Sequence, residues 1–263
     1  MSDLKVTDIY VYPIKSLAGI RLESAELSET GIQFDRYWML VKTDGSFITQ
    51  REIPQLILFQ LELKADYLKV IFGDKTLTIP KTLTQLDEIE CEIFGDKVLG
   101  YKESNEINDW FSTILEQAVF LVRKTDHAKR PVKNHEDSYI NFSDASQYLI
   151  IGQESLKQLN TKLEEPVPMN RFRANIIFES GTAHIEDTWG EIRIGKATFQ
   201  SVKPCGRCKM TTINQRTGIV GKEPLQTLAT YRKTGNKILF GQYLKLLDSA
   251  EETLRVGDEI LPL

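Results

Sequence analysis

Two cysteines, Cys205 and Cys208 in Lys203-Pro204-Cys205-Gly206-Arg207-Cys208, are the residues of this chain best suited to soft-ligand chemistry. A C-x-x-C pair serves as half of a zinc site, as a redox dithiol or as the source of a soft-metal ligand. A structural zinc needs four ligands, and the other candidates, Cys91, His127, His135 and His184, stand at no ligand spacing from one another. A thioredoxin-type dithiol wants its pair at the start of a helix, whose dipole lowers the first thiol's pKa. Here the β-prone Lys209-Met210-Thr211-Thr212-Ile213 follows, then the turn-forming Asn214-Gln215-Arg216-Thr217-Gly218, which predicts a loop entering a strand. An inert buried thiol suits Cys205. It suits Cys208 less, because Arg207 and Lys209 flank it and favour a thiolate.

The elements that must position this pair read as mostly strands. In the first hundred residues, β-branched and aromatic runs at Val6–Tyr12, Trp38–Lys42, Ile57–Leu63, Leu68–Phe72 and Leu77–Ile79 are punctuated by Asp44-Gly45, Gly73-Asp74 and Gly95-Asp96. A helix follows, with Ser104 as N-cap and Ile107, Trp110, Phe111, Ile114 and Leu115 on one face; it is expected to be the seam between two parts. Two further helices are expected over Gln153–Leu163 and Pro224–Tyr231. Strands resume at Asn175–Phe178, Glu191–Ile194, Thr198–Val202, Thr211–Ile213 and Leu239–Leu246. A last segment, Thr253–Leu261, carries the turn Val256-Gly257-Asp258. The pattern is mainly β with α (α+β): two β-rich units, the second a barrel with helices packed outside.

A chain of 263 residues with 41% hydrophobic content can fill a large core. With 33 Lys+Arg against 37 Asp+Glu, the net charge of -4 supplies no global field for nucleic acid or anionic lipid. No stretch approaches the roughly 20 apolar residues of a membrane span, and Met1-Ser2-Asp3-Leu4-Lys5 lacks a signal-peptide profile. A cytoplasmic setting, with no membrane and no nucleic-acid partner, is therefore expected, and three cysteines make no disulfide framework there. No G-x-G-x-x-G segment offers a place for a dinucleotide.

The run Pro204-Cys205-Gly206-Arg207-Cys208-Lys209-Met210-Thr211-Thr212 resembles the cysteine motif of MOSC domains, the module named after the C-terminal part of molybdenum cofactor sulfurases. Val11-Tyr12-Pro13-Ile14-Lys15-Ser16 and Gly31…Phe34-Asp35-Arg36-Tyr37-Trp38 are similar to the β-barrel preceding that domain in amidoxime-reducing components. Phe142-Ser143-Asp144, Arg171-Phe172-Arg173-Ala174-Asn175-Ile176, Lys222-Glu223-Pro224-Leu225 and Phe240-Gly241-Gln242-Tyr243 continue the likeness in order. The resemblance implies an N-terminal β-barrel-like domain over 1–118 and a C-terminal MOSC β-barrel with peripheral helices over 119–263.

It also implies a molybdenum cofactor (Mo-molybdopterin) whose metal takes one protein thiolate, that of Cys208, a sensible soft ligand. Lys15, Ser16 and Arg36 match phosphate-binding positions, Arg173 and Asn175 pterin contacts, and Asp144 and Ser146 a loop over the pterin. Gly206 and Arg207 lie in the motif itself. Cys208 and Asp144 are the expected catalytic residues. The chain departs from the reducing components at Gly206, where they have serine, and at Ala145, where they have threonine. Both changes remove a hydroxyl. The implied activity is reduction of N-hydroxylated small molecules (amidoximes, hydroxylamines, N-hydroxylated bases). Related bacterial proteins carry a C-terminal iron–sulfur domain, and this chain ends at Leu263 without four cysteines for a cluster, so a separate flavin or iron–sulfur protein is the expected donor. The alternative implied by the family is a cofactor carrier or sulfur-transfer module with a persulfide on Cys205 or Cys208; the N-terminal barrel motifs and the lack of a preceding pyridoxal-binding desulfurase domain point away from it. The basic run His127-Ala128-Lys129-Arg130-Pro131-Val132-Lys133 reads as a solvated loop, or else as a lid or docking patch for an acidic redox partner.

Overall fold

Alternation of buried and exposed residues builds most of this molecule. In the strand Glu191–Ile194 the two isoleucines are buried and Glu191 and Arg193 are exposed, the period of two that one covered face requires. The computed structural model describes residues 4–82, 87–127, 129–179, 181–249, 251 and 253–263. Met1, Ser2 and Asp3 of the amino-terminal segment and Ala128 of the basic run lie outside the described residues. Strands dominate, with helices at Asn105–Leu115, Gln153–Asn160 and Leu225–Tyr231 among the described residues.

The largest sheet runs Ile20–Leu22, Lys5–Val11, Ile176–Glu179, Tyr148–Gly152, Lys237–Ser249, Ala197–Arg207, Glu191–Ile194, Ile260–Pro262. Its ends come together: Ile260 N donates to Leu4 O (2.8 Å), Val6 N to Asp258 O (2.9 Å) and Gly257 N to Val6 O (2.8 Å). The sheet thus curls into a barrel, which removes exposed strand edges. Ile9, Tyr148, Ile150, Ile176, Phe178, Ile192, Phe199 and Leu244 fill it. The first strand of the chain is part of this barrel, antiparallel to Ile176–Glu179.

A second core gathers Ile14, Leu17, Trp38, Leu40, Leu56, Phe59, Leu68, Val70, Ile107, Phe111 and Leu121. The sheet beside it runs Trp38–Lys42, Val119–Lys124, Asp96–Lys102, Glu88–Ile93, and a meander of Gln60–Leu63, Tyr67–Phe72 and Lys75–Pro80 closes it. The helix Asn105–Leu115 buries Ile107 and Phe111 within this core and exposes Glu106 and Asp109, so it covers one side of the core. Ser104 caps it as expected, its hydroxyl accepting from Ile107 N at 3.4 Å.

Other expectations are corrected. Ile57–Leu63 divides into a 3-10 turn, Pro54–Leu58, and the strand Gln60–Leu63, because Pro54 favours a helical start. Thr211–Ile213 is no strand: Lys209–Thr212 is a 3-10 turn, closed by Thr211 Oγ1 donating to Cys208 O (3.0 Å) and Thr212 Oγ1 to Lys209 O (2.8 Å). Accordingly Cys205 lies inside the strand Ala197–Arg207 and Cys208 at its exit, not on a loop entering a strand. The basic run is no simple loop either. Arg130–Val132 pairs with His135–Ile140, Arg130 is ion-paired to Asp96 and Lys129 to Glu29.

Candidate active site

Five segments converge where the barrel meets the second core. The chain leaves the strand Lys5–Val11 through Tyr12-Pro13-Ile14-Lys15-Ser16, held by Lys15 N donating to Trp38 O at 2.8 Å. Arg36 N donates to Tyr12 O (2.8 Å), and Arg36 O accepts from Phe142 N (3.0 Å), which brings the segments at 36 and 142–146 alongside. Asn175 joins the barrel wall through Tyr10, whose backbone N donates to Asn175 O at 2.8 Å. The end of Ala197–Arg207 supplies Cys205 to Cys208. Between them lies a cleft of about 110 Å³, open to solvent. Lys15, Ser16, Arg36, Asp144, Ser146, Arg173, Asn175, Gly206, Arg207 and Cys208 all line it, so every residue singled out from the sequence is brought to one place.

The backbone is strained there. Ser16, Arg36 and Arg173 have φ of 71°, 46° and 54°, a left-handed conformation that costs a non-glycine residue about 1–3 kcal/mol unless its surroundings enforce it. Arg36 shows what enforces it. Its guanidinium ion-pairs with Asp35, which is 1% exposed, donates from Nη1 to Asn175 Oδ1 (3.1 Å) and from Nη2 to Arg173 O (3.3 Å). Burial disfavours that charge, but Asp35 outweighs it and holds the pKa above its ordinary value. Arg173 donates to Leu17 O at 2.7 Å, and burial lowers its pKa to about 10. The two guanidinium carbons lie 4.5 Å and 4.3 Å from the ring centroid of buried Tyr12, so one ring contacts both cations. Burial raises that phenol to about 12, against the pull of both arginines, and it stays neutral.

Lys15 is buried at 4% exposure; its ammonium donates to Phe142 O (2.8 Å) and pairs with Asp144. Burial pushes the ammonium pKa down, with Asp144 opposing. Burial would raise the Asp144 carboxyl, yet Lys15, Arg36 and Arg51 hold it below the ordinary range. The Asp144 side chain still keeps 47% of its surface accessible, because it faces the open cleft. Asn175 and Ser146 are committed to the scaffold. Asn175 Nδ2 donates to Tyr10 O (3.1 Å), its Oδ1 also accepts from Leu149 N (3.3 Å), and Ser146 Oγ donates to Leu244 O (2.8 Å).

The cysteines differ as their neighbours suggest. Cys205 is 1% exposed, and burial pushes its thiol up, opposed by Arg207 and a hydrogen bond with Tyr243. Cys208 is exposed at the cleft mouth. Arg207 donates from Nε to Phe240 O (2.8 Å) and from Nη1 to Phe172 O (2.9 Å); its Nη2 is buried without a partner among the described residues, as are Arg171 Nε, Ser143 Oγ and Tyr148 OH, all on cleft-lining residues. Gly206 leaves open space where a side chain would stand, with Lys237 carbons the nearest atoms at 3.8 Å or more. Among the described residues, no group of three or more His, Cys, Asp or Glu could hold a metal by itself.

Sequence reasoning did not single out Tyr12, Arg171 or Tyr243. All three stand inside the motifs that carry the resemblance, but neither periodicity nor spacing marks an aromatic ring as a platform between two arginines.

Comparison with known proteins agrees with this architecture. Residues 3–118 match the model of the MOSC N-terminal beta barrel domain, and residues 137–261 that of the MOSC domain. Mitochondrial amidoxime reducing component 2 of Bos taurus is 32% identical over 277 residues, covering 97% of this chain and 82% of that protein. Mitochondrial amidoxime-reducing component 1 of Homo sapiens is 31% identical, also over 97% and 82%. Molybdenum cofactor sulfurase of Oryza sativa is 31% identical over 297 residues, covering all of this chain but 36% of that protein, so the chain spans about a third of the length of that relative. Two family models that together cover most of the sequence, and relatives matched over nearly all of this chain, place it in the MOSC family.

Proposed function

We propose that this chain binds a molybdenum cofactor in the cleft and reduces N-hydroxylated small molecules with electrons from a separate redox protein. The observation that carries this reading is the exposed Cys208 thiol at the mouth of a cleft where Lys15, Arg36, Arg171, Arg173 and Arg207 face a single lining carboxylate, Asp144. Such a buried surplus of cations is costly without an anion, and a phosphorylated cofactor supplies one. The unpartnered Arg207 Nη2, Arg171 Nε and Ser143 Oγ are donors suited to the oxygens and ring edges of such a ligand. With no cluster of three or more His, Cys, Asp or Glu among the described residues, a lone thiolate here suits a metal that brings its other ligands with it. The residues present therefore fit the group.

In this reading Lys15 and Arg36, with Ser16, neutralise the phosphate, and Arg173 contacts the pterin. Asn175 acts through Arg36, whose guanidinium it orients, and Ser146 holds the loop that carries Asp144. Cys208 gives its thiolate to the metal. When bound, the cofactor supplies two-electron redox chemistry. The N–O bond of the substrate breaks with uptake of two electrons and two protons, and the oxygen leaves as water. Asp144, held ionised, accepts a hydrogen bond from the substrate hydroxyl and orients it rather than donating a proton. The division at 118/119 belongs to the same proposal as a boundary in sequence only, since Lys5–Val11 and Val119–Lys124 each pair with strands across it; a cytoplasmic setting belongs to it too, and among the described residues no helix is long and apolar enough to cross a membrane.

Protein purified from a host that makes the cofactor should contain about one molybdenum per chain and reduce benzamidoxime with reduced viologen, and should be inactive with NADH alone. Turnover with NADH and no added protein would overturn the electron route. Full molybdenum content with no reduction by viologen would favour the second reading, a cofactor carrier or sulfur-transfer module. That reading is supported by the likeness to the plant sulfurase and predicts a persulfide on Cys205 or Cys208, visible as a 32-Da mass increment.

A further inference from the structure

The surface around the Cys208 mouth is charged unlike the rest of the chain. Residues 201–240 contain eight Lys+Arg and one acid, Glu223, in a protein whose net charge is -4. Six of those cations, Lys203, Lys209, Arg216, Lys222, Lys233 and Lys237, are exposed and make no ion pair among the described residues. Elsewhere the exposed cations are commonly matched, as Arg21, Lys97, Lys129, Lys196 and Arg255 are by nearby carboxylates.

Their placement is coherent. Lys233 and Lys237 stand on the hairpin of Lys233–Thr234 with Lys237–Ser249, which runs beside Gly206 and Arg207 (Gly206 opposite Leu239, Arg207 opposite Ile238). Lys209 follows Cys208 directly. Arg216 and Lys222 flank a turn tied to the same place: Gly221 N donates to Thr212 O at 3.0 Å, and Ile213 bridges to Val220. That turn carries Ile219 and Val220, exposed at 69% and 52%, a neighbouring apolar pair left bare to solvent; exposed Glu164 and Glu165 line the same groove as Arg216, Ile219 and Lys222, and the cations outnumber them.

We infer that this face, centred on Ile219 and Val220 and bordered by Lys209, Arg216, Lys222, Lys233 and Lys237, is the docking surface for a small acidic one-electron carrier protein. The inference rests on the reductase reading, which requires electrons to reach the cleft from outside. A small apolar centre within a charged rim suits a brief encounter: opposite charge speeds association, and a limited apolar contact lets the oxidised carrier leave. Electron transfer falls steeply with distance, so the useful docking face is the one holding the Cys208 mouth. Two successive carriers, each giving up one electron, supply the pair consumed per N–O bond broken.

The test measures binding by the full-length protein without cofactor, using a fluorescently labelled acidic [2Fe–2S] ferredoxin as probe. We expect the wild-type Kd to weaken about tenfold or more between roughly 20 mM and 200 mM salt, and Lys222→Glu/Lys233→Glu to weaken it about tenfold at low salt. Ile219→Ser/Val220→Ser should weaken binding about threefold at both salt concentrations, since apolar contact is not screened. Lys75→Glu, an exposed cation on the distant meander, should leave Kd within about twofold. Equal binding by wild type and Lys222→Glu/Lys233→Glu would overturn the inference. So would tighter binding of a single-stranded oligonucleotide than of the ferredoxin, which would make this a nucleic-acid surface. In cofactor-loaded protein, Lys222→Glu/Lys233→Glu should keep turnover with viologen and lose it with ferredoxin. Failure of wild type with viologen would break the reductase reading alone, leaving the binding result intact.

Discussion

Lys15 allows the proposed phosphate role to be separated from a structural one. Lys15→Met keeps the length of the side chain and removes the ammonium. Without ligand the change should be nearly neutral: the Phe142 carbonyl loses its 2.8 Å partner, at about 1–3 kcal/mol, but an ammonium disfavoured by burial is no longer confined. Asp144 loses its ion pair, yet with 47% of its side chain accessible it exchanges that partner for water. A net change within about 1 kcal/mol moves Tm by roughly 2–4 °C in a chain of this size. With an anion bound, the loss is one charge-assisted contact, about 1.5–3 kcal/mol, or roughly 10- to 100-fold in cofactor affinity. Arg36→Met should behave differently, because Asp35 is left buried at 1% exposure without its partner, costing about 3–5 kcal/mol before any ligand is considered. Asp35→Asn in the Arg36→Met background should restore most of that stability and none of the retention. The assay is thermal unfolding of apo protein beside molybdenum and pterin content after dialysis. A Lys15→Met variant that melts more than about 10 °C lower yet retains full cofactor would refute the reasoning.

Cys208→Ala should be isolated without molybdenum, whereas Cys205→Ala, buried and directed at Tyr243, should keep the metal with a stability loss of about 1 kcal/mol; metal analysis showing the reverse would reassign the ligand. His184 gives a pH dependence. Burial lowers its pKa from 6.5 to about 4, with Arg232 adding and Asp187 opposing, so the unfolded chain takes up a proton first and stability falls as pH drops from about 6.5 towards 4. With its ring half-buried, the loss is on the order of 1–2 kcal/mol, and urea unfolding at pH 7 and pH 5 should show it diminished in His184→Gln.

Local features of the fold were legible where one segment decides its own structure. The strands Trp38–Lys42 and Glu191–Ile194 have the limits that their residue types predict, and Ser104 caps the helix it was expected to cap. The segment after Cys208 was misread because threonine favours strands in general. Here the hydroxyls of Thr211 and Thr212 close a tight turn instead, which single-residue preference does not encode. Closure of the barrel by Lys5–Val11 was not legible either, since Val6 pairs with Phe178, far along the chain. The candidate site residues, which line one cleft, were singled out through resemblance to a family, not through spacing. Lys15, Arg36 and Arg173 look like ordinary surface charges in the sequence, and only the fold shows Lys15 buried beside Asp144 and the two arginines half-buried around Tyr12.

That arrangement bears on why both parts of the chain are needed. Strained backbone at Ser16, Arg36 and Arg173 persists because other segments hold it: Gln50 donates to Ser16 O, Phe142 N to Arg36 O, and Arg36 itself to Arg173 O. Each support joins residues distant in sequence, and the strand Lys5–Val11 links them, pairing with the barrel on one side and leading into Lys15 on the other. Cutting the chain at 118/119 would therefore remove not only Lys15, Ser16 and Arg36 but also a barrel strand and the supports of Arg173. The cations that remain destabilise one another until an anion arrives, so a tightly bound phosphorylated ligand stabilises the fold as well as occupying it, by about 2.7 kcal/mol when present at a hundred times its Kd. In the proposed reading, folding of the barrel and filling of the cleft are thus linked through the same few side chains, and the charge that would make the empty site costly is what would make it selective for an anionic cofactor.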